Sequence, residues 1–228
     1  MHSIIVAVVI VVLMAGLVAM HCLGDVSSGG QKGAVTQLPQ PQTTGTISIE
    51  QVLAQRRSIR SFTDQPLTQS ELGQLLWAAQ GITSPQRGLR AAPSAGALYP
   101  LELYVVTAEG VYHYQPQGHQ MQLRLTGDRR VELSQACLGQ GVVRQAAADF
   151  VITAVFSRTR AKYGARGDQY VHNEVGAAGE NLCLQAVGLE LGSVMVGAFG
   201  DAQVTDVLDL PTDHAPLLVI PVGHPRQR

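Results

Sequence analysis

The chain has 228 residues, enough for one good hydrophobic core and hardly two. Hydrophobic residues make up 46% and charged residues 14%, a low charge content for an ordinary domain, and part of the apolar excess sits at the N-terminus. The formal net charge of −1 supplies no broad basic field, so nucleic acid is excluded as a partner. Cys22, Cys137 and Cys183 lie far apart with no CxxC pair, which argues against a zinc knuckle or a disulfide framework.

Residues 4–20 carry no charged side chain. As a helix they reach about 26 Å, marginally enough to cross a bilayer core. Two readings of residues 1–24 stay open: an uncleaved single-pass membrane anchor, which is the favoured one, or a secretory signal removed on export. Residues 25–46 are rich in Gly, Gln, Ser, Thr and Pro without an apolar period, so they read as a flexible linker. The folded domain is expected over 47–228.

A short helix starts at Ile49 and ends by Arg56. Thr68 and Glu71 form a capping box, and Leu72, Leu75, Leu76 and Ala79 follow at helical spacing, which predicts a helix over 68–80 with Gly81 as its stop. Residues 103–107 and 111–114 read as strands of a hairpin around Glu109-Gly110, with a third strand at 121–125. Residues 131–138 are helical with Asp128 as cap. Residues 150–156 are an apolar, β-branched run typical of a buried strand. A basic loop with Arg158, Arg160, Lys162 and Arg166 comes next. Val171, Val175, Ala178, Leu182, Ala186 and Leu189 then step along a long helix, whose Gly176 and Gly179 suggest a second helix packed close by. A short strand at 194–196, a helix near 201–208 and a strand at 217–222 complete an α+β pattern.

Two segments carry chemistry. Arg56, Arg57, Ser58 and Arg60 place three guanidinium groups and a hydroxyl within five positions. Guanidinium forks onto phosphate oxygens, and the cluster can hold a phosphate dianion with charge to spare. Arg57 could instead stand at the edge of a ring that gains negative charge on reduction. Pro93, Ser94, Ala95 and Gly96 open a run of slim residues through which backbone N–H groups can approach a flat ring. Tyr99 either lines that pocket or anchors the loop. Together the segments point to a phosphorylated, planar cofactor. The histidines show no metal-ligand spacing.

Arg56 to Phe62 resembles the opening signature of the flavin-dependent nitroreductase superfamily. Pro93-Ser94-Ala95-Gly96-Ala97-Leu98-Tyr99-Pro100, Gly110 to Tyr114, Lys162 to Gly167, Gly197-Ala198-Phe199 and Gly223-His224-Pro225 resemble, in order, its SagB-type dehydrogenase branch. The resemblance implies a nitroreductase-like α+β sandwich, with a central antiparallel or mixed sheet flanked by helices, following the hydrophobic N-terminal helix. It implies FMN bound at the interface of a homodimer. Arg56, Arg57, Ser58 and Arg60 would grip the phosphate and ribityl chain, with a basic residue near the C-terminus, Arg226 or Arg228, completing that site. Pro93, Ser94, Ala95 and Gly96 would reach the ring from the partner subunit, and Gly197 and Ala198 would lie along it. Lys162 and Tyr163 coincide with a catalytic Lys-Tyr pair of that branch, as base and as proton relay or substrate clamp. Lys, with a pKa near 10.4, needs neighbouring guanidinium groups and partial burial to act as a base at neutral pH. The implied function is transfer of hydride between an organic substrate and flavin N5. Its rivals are an NAD(P)H-dependent nitro or quinone reductase and a membrane-tethered flavin-binding electron carrier with no substrate of its own.

Overall fold

A computed structural model describes residues 33–226 of the chain. Seven strands form one sheet: β1 (Val35–Gln37), β4 (Leu101–Val106), β5 (Gly110–Gln115), β6 (Gln120–Thr126), β7 (Ala148–Ala154), β8 (Gly192–Ser193) and β9 (Ala215–Gly223). Their order is β1-β6-β5-β4-β7-β9-β8 and every pairing is antiparallel. A two-stranded ribbon, β2 (Ile82–Ser84) with β3 (Leu89–Arg90), stands apart.

Alternation along the strands explains why the sheet is buried on both faces. Leu101, Leu103 and Val105 of β4, with Phe150 and Ile152 of β7 and Ile220 of β9, face one apolar cluster. Tyr104 and Val106, with Val151 and Val219, face the other. The first face is covered by α2 (Gln69–Gln80) and the long α6 (Arg166–Gly188), through Leu72, Leu75, Leu76, Val171, Ala178 and Leu182. The second is covered by α3 (Arg130–Ala136), α4 (Gly141–Gln145) and α7 (Asp201–Leu208). All seven residues of β7 are buried, as its unbroken apolar run requires of a central strand between two helical layers.

The helix starts follow local chemistry. The Ser48 side chain accepts from the Gln51 N–H at the head of α1 (Ile49–Gln55), and the Thr68 Oγ1 accepts from the Glu71 N–H at the head of α2. Gln51 and Glu71 answer back to the cap backbone N–H groups, so both are full capping boxes. Asp128 accepts from the Arg130 N–H at 3.0 Å, capping α3 from one residue outside its formal start.

Several expectations need correction. No helix among the described residues is long and apolar enough to cross a membrane, which overturns the membrane localisation. The stretch 1–24 that suggested an anchor, a signal or a hydrophobic N-terminal helix lies outside the described residues. Within the expected linker, Val35–Gln37 pairs with Met121, Gln120 and Gln122 as an edge strand, and Leu38 is 2% exposed. Three residues are too few to show an alternating pattern, and the ladder of β6 supplies the pairing. The expected basic loop is mostly helix, α5 (Phe156–Tyr163). Gly179 is tight against strand β9 rather than a second helix: a Cβ there would lie 2.8 Å from Leu218 Cδ2. Gly176 faces open space.

Candidate active site

The arginine-rich segment is placed by the last strand. Past α1 the chain runs extended beside β8 and the end of β9. Ile59 N–H donates to the Ser193 carbonyl at 2.9 Å, Thr63 N–H to His224 at 2.9 Å, and Arg226 N–H to Ser61 at 3.0 Å. Ile59 and Phe62 turn inward onto Gly192 and Gly223, where any Cβ would come within 3 Å of their side chains. Arg57, Ser58, Arg60 and Ser61, between and beside these two anchors, are exposed to solvent. Together with Pro225 and Arg226 they line a cleft of about 840 Å³. Arg226 and the Arg-rich segment, 164 positions apart at Phe62, meet here: Arg226 Nε donates to the Phe62 carbonyl at 3.2 Å.

Not every arginine of the cluster faces this cleft. Arg56 Nε pairs with Glu180 of α6 at 3.3 Å. Arg57 Nη1 donates to the Ala54 and Arg56 carbonyls at 3.0 and 2.7 Å. Among the described residues, no hydrogen bond or ion pair engages the guanidinium of Arg60. It is the cation of the group most free to take a ligand.

The second segment forms a tight turn. Residues Ala95–Ala97 make one 3-10 turn, with Gly96 at φ 61°, Ala97 at 54° and Tyr99 at 47°. Ser94 Oγ accepts from the Tyr99 N–H at 2.8 Å. The Tyr99 hydroxyl accepts from the Arg90 N–H, its ring lies 4.6 Å beneath the Arg90 guanidinium, and its carbonyl accepts from Arg158. Tyr99 is therefore the loop's anchor. A Cβ on Gly96 would lie 2.8 Å from the Tyr163 hydroxyl and 2.9 Å from Lys162 Nζ. The Lys-Tyr pair at the end of α5 and the slim-residue turn thus meet at Gly96. Lys162 is exposed and Tyr163 half-buried, so the partial burial expected around Lys162 is not supplied by this protomer.

Arg158 ties α5 to this turn. Its Nη2 lies 2.6 Å from Glu102 Oε1, while Glu102 Oε2 meets His113 Nε2 at 2.8 Å. Burial works against ionising Glu102, but the hydrogen bonds from His113 and Arg158 outweigh it and hold the carboxyl at about 2. Gly197 and Ala198 follow the Val196–Val219 bridge at the surface. Open space lies where a Cβ of Gly197 would point, and the Ala198 carbonyl accepts from Gln140.

The sequence reading missed Glu174. It is 3% exposed on α6 and lines a cavity of about 320 Å³ with Pro93, Ser94, Ala95, Tyr170 and Asn173. Burial pushes its carboxyl up to about 7, partly countered by the nearby Ser94 hydroxyl, Arg90 and Gln80. A signal was present: position 174 falls three after Val171 and four before Ala178, so a carboxylate stands in the apolar stripe of the helix.

The chain is thus a two-faced α+β sandwich with an arginine-lined cleft beside its last strand and a Lys-Tyr pair packed on a glycine turn. Residues 53–224 match the profile of the nitroreductase family. A protein of Methanocaldococcus jannaschii assigned as a nitroreductase is 43% identical over 183 residues, covering 78% of this chain and 91% of that one. The crystal structure of a protein from Ralstonia eutropha, also assigned as a nitroreductase, superposes with a TM-score of 0.79 at 30% identity, over 87% of this chain and 93% of that chain. The NADPH:FMN oxidoreductase of Vibrio harveyi, solved with NAD+, shares the fold at a TM-score of 0.60 and 24% identity, over 78% and 69% of the two chains. The chain belongs to the nitroreductase family. It is an oxidoreductase enzyme, which sets aside the carrier without a substrate.

Proposed function

We propose that the chain is an FMN-dependent oxidoreductase of the SagB-type branch, acting as a homodimer on an organic substrate. Members of the family are generally flavin-dependent. The residues present fit such a group: Arg57, Ser58, Arg60 and Arg226 share one cleft, and Arg60 has no competing partner among the described residues. These four would hold the phosphate end, and Gly197 leaves room for a flat face against the backbone. FMN, when bound, supplies a two-electron centre that exchanges hydride at N5.

The chain's own residues supply the rest. Lys162 takes a proton from one atom of the C–C or C–N bond being oxidised, the other atom giving up hydride, and the Tyr163 hydroxyl orients the deprotonated atom or passes the proton on. In one protomer the arginine cleft and the 93–95 turn have separate linings with no residue in common. That separation supports a site completed by the turn of a second copy. The observation that carries the SagB-type reading is the contact of Lys162 and Tyr163 with Gly96.

The test is an absorbance spectrum of the FMN-reconstituted protein, followed with NADPH and then with cyclic imines or thiazolines. Bleaching by the organic donor, lost in Lys162→Ala, is the expected result. Bleaching by NADPH followed by nitroaromatic reduction, unaffected by Lys162→Ala, would place the chain with the NAD(P)H-dependent reductases instead.

A further inference from the structure

The cavity between the 93–95 turn and α6 is built around a carboxylate that the proposed proton transfer leaves unused. Glu174 Oε1 is buried and has no hydrogen-bond partner among the described residues. The Ser94 hydroxyl and Gln80 Nε2, a buried donor also without a partner, stand near this carboxyl, yet Oε1 stays unpaired and its lone pairs are available to a ligand in the cavity. Asn173, the neighbouring residue on α6, lines the same cavity and is exposed. Its amide offers donors beside the Glu174 acceptor. Tyr170 adds an aromatic wall, braced edge-on by Tyr163 at 5.1 Å.

The surrounding charge narrows the ligand. Arg90 of β3 acts on Glu174, Lys162 meets Gly96 next to Ala95 of the lining, and the Arg166 guanidinium stands 5.7 Å over the Tyr170 ring. A cation entering here would meet three positive groups against one carboxylate. A neutral N–H donor meets no such repulsion.

We infer that this cavity recognises a planar N–H/C=O edge, as in a lactam or imide, through an N–H donated to Glu174 and a carbonyl that accepts from the Asn173 amide. The inference rests on the oxidoreductase reading and names the ligand edge of the same site. The ligand assigned here is a lactam-like organic substrate; capture of the pyrimidine side of a flavin ring is the outcome the test must separate from it. Tyr170, Asn173 and Glu174 thus form a recognition surface distinct from the phosphate cleft.

The test uses 2-pyridone as probe and N-methyl-2-pyridone, which lacks the N–H, as control. Both are titrated calorimetrically into the full-length protein, with and without FMN. The wild type should bind 2-pyridone at least tenfold more tightly than the methylated control. Glu174→Gln and the exposed Asn173→Ala should each weaken 2-pyridone by about tenfold. Binding should also weaken from pH 8.5 to 5.5, as Glu174 takes up a proton in the setting of Arg90, Gln80 and Ser94, and this dependence should vanish in Glu174→Gln.

FMN affinity is read separately by quenching of flavin fluorescence. If 2-pyridone binds the FMN-loaded protein and Glu174→Gln leaves FMN affinity intact, the cavity is a substrate site. If FMN displaces 2-pyridone and Glu174→Gln weakens both, the cavity belongs to the flavin and the substrate assignment is overturned. Equal binding of the two probes, no binding of either, or unchanged 2-pyridone affinity in both variants overturns the inference. Failure of FMN to bind the wild type at all would instead fall on the flavin reading.

Discussion

Arg60 and Arg56 are both arginines four residues apart, yet the fold gives them different work. Arg60 stands unengaged on the 840 Å³ cleft, while Arg56 is paired with Glu180. Arg60→Ala and Arg226→Ala should each weaken FMN by tenfold or more, as expected for loss of a charge-assisted phosphate contact. Arg56→Ala should change FMN affinity by less than about threefold, since a half-exposed ion pair is worth roughly 0–1 kcal/mol. Flavin fluorescence quenching checks all three. The acidic residues carry their own prediction. Glu174 titrates higher when folded than when unfolded, so its ionisation removes stability as pH rises from about 4.5 to about 7. Glu174→Gln should therefore raise Tm at pH 8 and not at pH 4. Glu102 has the opposite sign: its contribution is present above about 4.5 and lost as pH falls toward about 2. Glu102→Gln should cost about 2–3 kcal/mol in urea unfolding at pH 7, because Arg158 and His113 lose their partner.

At the scale of elements, the catalytic pair is held by contacts outside its own helix. α5 is only eight residues, and it is pinned by Arg158 to Glu102 and the Tyr99 carbonyl at its first turn. Its other end rests on Gly96, and the tight approach of Gly167 to Thr159 and Arg160 sets the bend into α6. Gly96→Ala places a methyl where Lys162 Nζ and the Tyr163 hydroxyl now sit, at a φ that costs an L-residue about 1 kcal/mol. The expected result is a turnover loss of at least tenfold with FMN affinity nearly unchanged, read by reductive-half-reaction kinetics beside a fluorescence titration. The helix boundaries were legible because capping is local: Thr68 and Glu71 act within four residues, and the structure starts α2 where they predict. The edge strand at Val35 and the helical state of Arg158 to Lys162 were not legible. Each depends on a partner far along the chain, β6 in one case and Glu102 of β4 in the other.

For the whole molecule, the proposed site belongs to two chains. If arginines of one protomer and the 93–96 turn of its twin complete each other, Arg60→Ala and Gly96→Val chains should separately lose most turnover at an FMN concentration that loads the wild type but not Arg60→Ala. Refolded together in equal amounts, they should regain about a quarter of wild-type turnover, because half the dimers are mixed and one site in each is intact. Absence of recovery, with dimers confirmed by native mass, would mean that each protomer builds its site alone.

Periodicity and capping boxes made the α+β pattern legible, and the resemblance of short motifs in order made the family legible, because those signals act over a few positions or repeat along one element. Which arginine meets solvent and which meets Glu180, that Tyr99 anchors rather than lines, and that a carboxylate sits unpaired beside the 93–95 turn were set by packing. Arg56 and Glu180 are 124 positions apart and Glu174 is 80 from Ser94; even Arg90 and Tyr99, nine apart, follow no helical or strand repeat. No pattern confined to one stretch of chain records such a meeting.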